Sequence, residues 1–193
     1  MSSVADKPVI RLYPYQQAFF ADDARVQVAI WCRQAGKDFT TACKAVRHAM
    51  LTGEAWYIVS LTQRQADATF AKCKMVAEGF RQLLKLQGEI VATDGDAYLD
   101  WDASIEESFR CVARTLHLPG GGSVTSLPGR NPDMLAGLTG NVIFTEFGLF
   151  PNGGYDHWRV VFPLSTRGFR VIVISTPRGK NTKLFELFSD PET

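Results

Sequence analysis

Val26–Cys32 (VQVAIWC), running into Arg33-Gln34-Ala35-Gly36-Lys37-Asp38-Phe39, is the stretch whose reading decides the fold. Its first seven residues are almost all apolar, as expected of a central strand covered on both faces. Gly36 breaks the pattern. Beyond it Phe39, Cys43, Val46 and Met50 recur every three or four residues, which predicts a helix from about Lys37 to Leu51.

A buried strand that turns at a glycine and opens a helix is the setting of a phosphate-binding loop. Free N–H groups at the helix start and the helix dipole attract anionic oxygens. A lysine directly after the glycine reaches the terminal phosphates. Lys37 is thus the candidate phosphate cation, and Gln34, Ala35, Gly36, Asp38 and Phe39 complete the candidate loop. The usual pattern is GxxxxGK[ST]. Trp31 stands here at its first Gly, and Asp38 replaces the Ser/Thr whose hydroxyl binds Mg²⁺. Asp38 is therefore read as a metal carboxylate, with Thr40 or Thr41 in support.

Outward from this stretch, apolar strands alternate with amphipathic helices, the pattern of an α/β fold with a parallel sheet. Strands are expected at Ala55–Ser60, Asn141–Thr145 and Arg170–Ser175. Thr62 caps a helix running toward Leu86, and residues 87–102 read as loop. Glu107–Leu118 and Ser123–Ser126 read as a strand pair around Pro119–Gly122. Helices are expected at Tyr155–Leu164 and from Lys183 to Phe188.

Composition fits a globular domain: 193 residues, 46% hydrophobic, 21% charged, net charge +1. Charge this balanced gives no global attraction to nucleic acid, so any such contact needs a local patch. No apolar run approaches the roughly 18 residues of a membrane span. The first residues lack the basic-then-apolar order of a secretory signal, so none is expected. Cysteines 32, 43, 73 and 111 form no CxxC pair and read as buried free thiols in a reducing cytoplasm. Trp56, Trp101 and Trp158 read as packing residues, and His48, His117 and His157 as structural. Arg64, Arg130, Arg167, Arg178, Lys180 and Lys183 read as surface charge.

Ligands of open α/β sheets sit beyond the carboxyl ends of the strands. Those ends carry Lys37, Ser60, Glu146 and Ser175. Four strands delivering polar groups to one rim is hard to explain as packing.

Six segments in order resemble the ATPase domain of tailed-bacteriophage large terminases, with the flavour of the Mu-like branch. Arg33–Lys37 (RQAGK) looks like the family's variant Walker A loop. Leu12–Gln16 resembles its adenine-contacting segment, and Ser60–Ala66 its second conserved stretch. Leu127–Pro132 with Gly137–Gly140 resembles the loop leading into Walker B. Asn141–Phe147 (NVIFTEF) is similar to the Walker B strand, and Val173–Gly179 to the coupling motif. The likeness covers residues from about 10 to 188.

The resemblance implies a P-loop NTPase of the ASCE, RecA-like type that binds ATP and Mg²⁺ and drives double-stranded DNA into a procapsid. It implies roles for Gln16 in reading the base, Arg33 as arginine finger and Glu146 in polarising water. Ser175-Thr176-Pro177 would sense the γ-phosphate. Where the family has Asp beside the glutamate, this chain has Thr145, which leaves the metal site short of a carboxylate and the turnover in question. The implied partners are DNA, a portal protein, a small terminase subunit and further copies in a ring, within a bacterial cytoplasm, with no membrane. Residues 1–193 would be the ATPase domain alone, from phage or prophage, with no nuclease activity. A helicase-like P-loop ATPase and a non-catalytic nucleotide-binding module stay open as alternatives.

Overall fold

The computed structural model describes residues 11–91, 110–112 and 114–189. Seven strands form one sheet: β1 (Val26–Ile30), β2 (Ala55–Ser60), β3 (Arg110–Val112), β4 (Thr115–His117), β5 (Ser123–Pro128), β6 (Asn141–Thr145) and β7 (Val171–Ser175). Their order is β1-β7-β6-β2-β5-β4-β3. The first five in that order run parallel, and β4 and β3 are antiparallel additions.

β6 and β7 are buried at every position, which is why most of each, residues 142–144 and 171–174, is apolar without alternation. β1 differs from expectation. Among the described residues it pairs only with β7 and forms the sheet edge, and its burial alternates along the strand. Its apolar run reflects cover on both faces rather than a central place. Gln27 and Ala29 are buried, while Val26, Val28 and Ile30 are partly buried against the second core.

Among the described residues five α-helices flank the sheet: α1 (Pro14–Ala21), α2 (Lys37–Thr52), α3 (Gln63–Val91), α4 (Tyr155–Thr166) and α5 (Lys183–Ser189). One core lies where α2 and α3 bury Ala42, Val46, Phe70 and Cys73 against Trp56, Ile58, Ile143 and Ile174. The other lies where α4 and α5 bury Trp158, Val161 and Leu184 against Val59, Phe144 and Val173. Trp56 and Trp158 are thus packing residues, as expected; Trp101 lies outside the described residues.

Local chemistry fixes several boundaries. Thr62 begins α3 with a reciprocal pair: its Oγ1 accepts from the Gln65 N–H, and its own N–H donates to Gln65 Oε1 at 3.2 Å. α2 stops at Gly53, whose φ of 74° makes the left-handed cap and whose N–H donates to the Ala49 carbonyl at 3.0 Å. Gly also fits because an added Cβ would sit 2.6 Å from the Gly120 oxygen.

Three expectations need correction. α3 continues through residues 87–91, which read as loop; the rest of that loop, 92–102, lies outside the described residues. The single strand expected over 107–118 is two, β3 and β4, which pair antiparallel, while residues 107–109 lie outside the described residues. Cys32 is exposed, whereas Cys43 and Cys73 are buried as expected. Burial pushes both of those thiols up to about 12. Among the described residues no helix is long and apolar enough to cross a membrane.

Candidate nucleotide site

The loop after β1 meets the end of β6. Lys37 Nζ lies 2.7 Å from Glu146 Oε1. Both sequence-singled residues thus share one point at the carboxyl rim. The ammonium is nearly enclosed, its side chain 9% exposed against 26% for the carboxylate. Glu146 sits just past the strand with φ 54°, a left-handed conformation that redirects its side chain. Its Oε2 accepts from Thr176 Oγ1 at 2.9 Å and from the Thr176 N–H at 3.2 Å. Burial alone would raise the Glu146 pKa. The hydrogen bonds from Lys37 and Thr176 outweigh it and hold the carboxyl below its ordinary range.

Ser175 Oγ accepts from the Gly148 N–H at 3.1 Å, tying the end of β7 to the turn after Glu146. Pro177 follows, exposed. Ser60 and Thr145 hydrogen-bond hydroxyl to hydroxyl at the ends of β2 and β6. The four strand ends therefore do converge.

The loop itself is braced from below by α1, which sequence reasoning did not predict as a helix. Gln16 is buried, and both ends of its amide are spent: Nε2 donates to the Ala35 carbonyl at 3.0 Å, and Oε1 accepts from the Tyr13 N–H at 2.9 Å. Tyr15 Oη donates to the same carbonyl at 2.9 Å. In a trans peptide the C=O and the following N–H point opposite ways. Fixing the Ala35 carbonyl toward α1 therefore turns the Gly36 N–H away from α1, to the loop's other side. Gly36 has φ 74°, and a Cβ there would lie 2.4 Å from Gln16 Nε2, so only glycine lets α1 approach. Gln34 is also left-handed, with φ 62°.

Trp31, at the place of the missing first glycine, meets Tyr15 and Phe19 edge-on at 5.1 and 5.3 Å. It anchors α1 instead of opening the loop. Phe39 packs against the first core, so its side chain serves packing. Arg33 is exposed at the loop's tip.

Lys44 went unnoticed in the sequence. It is buried, and its ammonium donates to the Phe19 and Phe20 carbonyls at 3.0 and 3.3 Å and also to the Asp22 carbonyl. It thereby caps the C-terminus of α1. Burial, with Arg170 nearby, pulls its pKa down to about 8. Its spacing on α2 is that of any helical lysine, so no local signal marks it. Lys183 is a correction: it is buried and paired with Glu186 at 3.2 Å rather than lying as surface charge. His48 and His157 are structural. His157 Nε2 bonds the Gly129 carbonyl at 2.6 Å, and His48 accepts from Trp56 Nε1 at 3.2 Å.

Asp38 points to α3, where Lys72 Nζ lies 2.9 Å from its Oδ2. Among the described residues no group of three or more His, Cys, Asp or Glu is gathered to hold a metal. Asp38, paired with Lys72, and the Ser60 and Thr145 hydroxyls are oxygen donors of the kind Mg²⁺ takes. That ion favours hard oxygen donors and fills its shell with water and phosphate rather than an all-protein cage.

A strand ending in a phosphate-type loop, an acidic strand end beside it and one strand (β7) between the two define a P-loop NTPase fold, and the protein has that fold. Solved structures similar to it are phage large terminases. The ATPase domain of the Thermus phage P74-26 large terminase, as a point mutant, shares 24% identity at TM-score 0.64, over 92% of this chain and 70% of that one. The same domain without that mutation gives 24% and 0.60, over 88% and 66%. The HK97 bacteriophage large terminase gives 16% and 0.61, with 97% of this chain matched to only 38% of that protein. No protein-family model and no curated protein matches the chain.

Proposed function

We propose that this chain is the ATP-binding motor domain of a phage large terminase and hydrolyses ATP to move double-stranded DNA into a procapsid. The observation that carries this reading is the 2.7 Å contact between Lys37 and Glu146, at the rim of a fold shared with terminase ATPase domains. Phosphoryl transfer to water needs charge neutralised and the water positioned, with little covalent help from the protein. An ammonium beside a carboxylate supplies both parts.

In this reading the triphosphate draws Lys37 away from Glu146 and settles on the N–H groups of residues 34–38. Glu146, released from its cation, orients and polarises the attacking water. Arg33 faces the γ-phosphate as the arginine finger. Ser175, Thr176 and Pro177 report the state of the site, since Thr176 is bonded to the same carboxylate. Asp38 and the Thr145 hydroxyl would hold Mg²⁺, which when bound would supply charge neutralisation for the phosphates. DNA, a portal protein, a small terminase subunit and neighbouring copies in a ring are the expected partners, in the cytoplasm of a bacterial host.

A second reading, a non-catalytic nucleotide-binding module, is favoured by Thr145, whose hydroxyl is already bonded to Ser60. Calorimetry with ATP and Mg²⁺, beside a phosphate-release assay with and without linear DNA, tests both. The motor requires binding that is lost in Lys37→Ala and turnover that DNA stimulates. Binding without turnover selects the module, and absence of any ATP binding overturns both.

A further inference from the structure

Asp38 and Thr145 depart from the usual P-loop pattern in opposite senses. P-loop NTPases hold Mg²⁺ with a Ser/Thr hydroxyl after the loop lysine and an Asp on the acidic strand. Here the position after Lys37 carries the carboxylate, and the position before Glu146 carries the hydroxyl. Either arrangement contains one carboxylate, one hydroxyl and one negative charge.

Lys37 and Glu146 touch at 2.7 Å, and Asp38 and Thr145 are their immediate chain neighbours. Strand alternation fixes the face. Along β2, Trp56 and Ile58 point into the core under α2 and α3, and Ser60 follows at the same spacing. Along β6, Ile143 points there and Thr145 follows. The Ser60–Thr145 hydroxyl pair thus lies on the face of the sheet that α2 and α3 cover, and Asp38 and Lys72 belong to those two helices. The carboxylate left at 38 is held by Lys72 at 2.9 Å, a residue that no motif marks.

We infer that the metal ligands of this site have exchanged places. Asp38 is the charged ligand, Thr145 with Ser60 supplies the hydroxyl side, and Lys72 is the counter-ion that a divalent cation displaces from Asp38. This inference rests on the nucleotide-site reading and adds the source of its metal charge. An ammonium and a divalent cation compete for one carboxylate, so Lys72 sets the metal affinity from outside the loop.

The test is Mn²⁺ binding, followed by the paramagnetic signal of the free ion, in the presence of a non-hydrolysable ATP analogue. Asp38→Ser should weaken Mn²⁺ at least tenfold. Asp38→Ser with Thr145→Asp rebuilds the usual arrangement and should recover affinity to within about threefold of the starting protein, since it restores one carboxylate and one hydroxyl to the two positions. In EDTA the order should invert, with Asp38→Ser holding the analogue more tightly because no carboxylate faces the phosphates. Lys72→Met should tighten Mn²⁺ severalfold. Unchanged Mn²⁺ affinity in Asp38→Ser, or a loss that Thr145→Asp does not repair, overturns the exchange. Weaker Mn²⁺ in Lys72→Met overturns the counter-ion role. A starting protein that binds the analogue neither with Mn²⁺ nor without it sinks the nucleotide reading, whereas the other failures leave that reading standing.

Discussion

Replacing Lys37 by Met separates what the ion pair does for the fold from what it does for a ligand. Breaking a fully buried pair by removing one partner costs about 3–5 kcal/mol, and an exposed pair about 0–1 kcal/mol. Lys37 is almost enclosed, but Glu146 keeps 26% of its side chain in water and retains both hydrogen bonds from Thr176. The stranded carboxylate is therefore partly satisfied, and the cost falls between the limits, about 1–2 kcal/mol. For a chain of this size that lowers Tm by roughly 2–8 °C. Glu146→Gln on top of Lys37→Met removes the stranded charge and should recover about half of the loss. Urea unfolding of the four proteins at pH 7 gives the coupling directly. The pH dependence follows with a definite sign. Glu146 is held below its ordinary value of 4.5 in the folded protein. Its contribution is complete above that value and fades as pH drops through the folded pKa. The gap between the original protein and Lys37→Met should therefore close below about pH 4.5. Additive single effects, or a gap unchanged in acid, would refute the reasoning.

Glu146→Gln should keep ATP binding and cut turnover by about 10²–10⁴-fold, the range of a lost general base; steady-state phosphate release checks it, and undiminished turnover removes Glu146 from the chemistry. Gln16→Ala should weaken ATP and GTP alike by about 3–10-fold, the worth of one or two hydrogen bonds, because its amide holds the loop at Ala35; calorimetry with both nucleotides decides, and a change confined to ATP would make it a base reader. In a Cys111→Ser background, Ellman's reagent should label Cys32 at once and leave Cys43 and Cys73 unmodified until the protein unfolds, since burial raises both thiols to about 12; rapid labelling of three thiols would contradict the packing of α2 on α3.

The parts of the fold legible in the sequence were those with a local period. β6 and β7 announce themselves by their apolar centres, α2 by its repeat after Gly36, and α3 by the Thr62 cap. From these the rim carrying Lys37, Ser60, Glu146 and Ser175 follows. What depends on contacts between distant segments left no such trace. Lys44 and Lys72 are ordinary helical lysines until the fold sets one beneath the end of α1 and the other beside Asp38. Gln16 reads as a ligand contact because its segment looks like one, yet the helix it belongs to turns its amide onto Ala35. The edge position of β1 is equally silent, since a strand covered on both faces has one composition wherever it lies.

The order of the sheet also governs when the protein can assemble. β7 lies between β1 and β6, yet it is made last of the seven. Until Val171–Ser175 leaves the ribosome, β1 has no strand partner among the described residues, and the phosphate loop that hangs from it has no fixed address. Pairing of such separated segments is slow and exposes apolar strands while it waits. Synthesis must therefore run almost to the end of this segment before the site at its beginning exists.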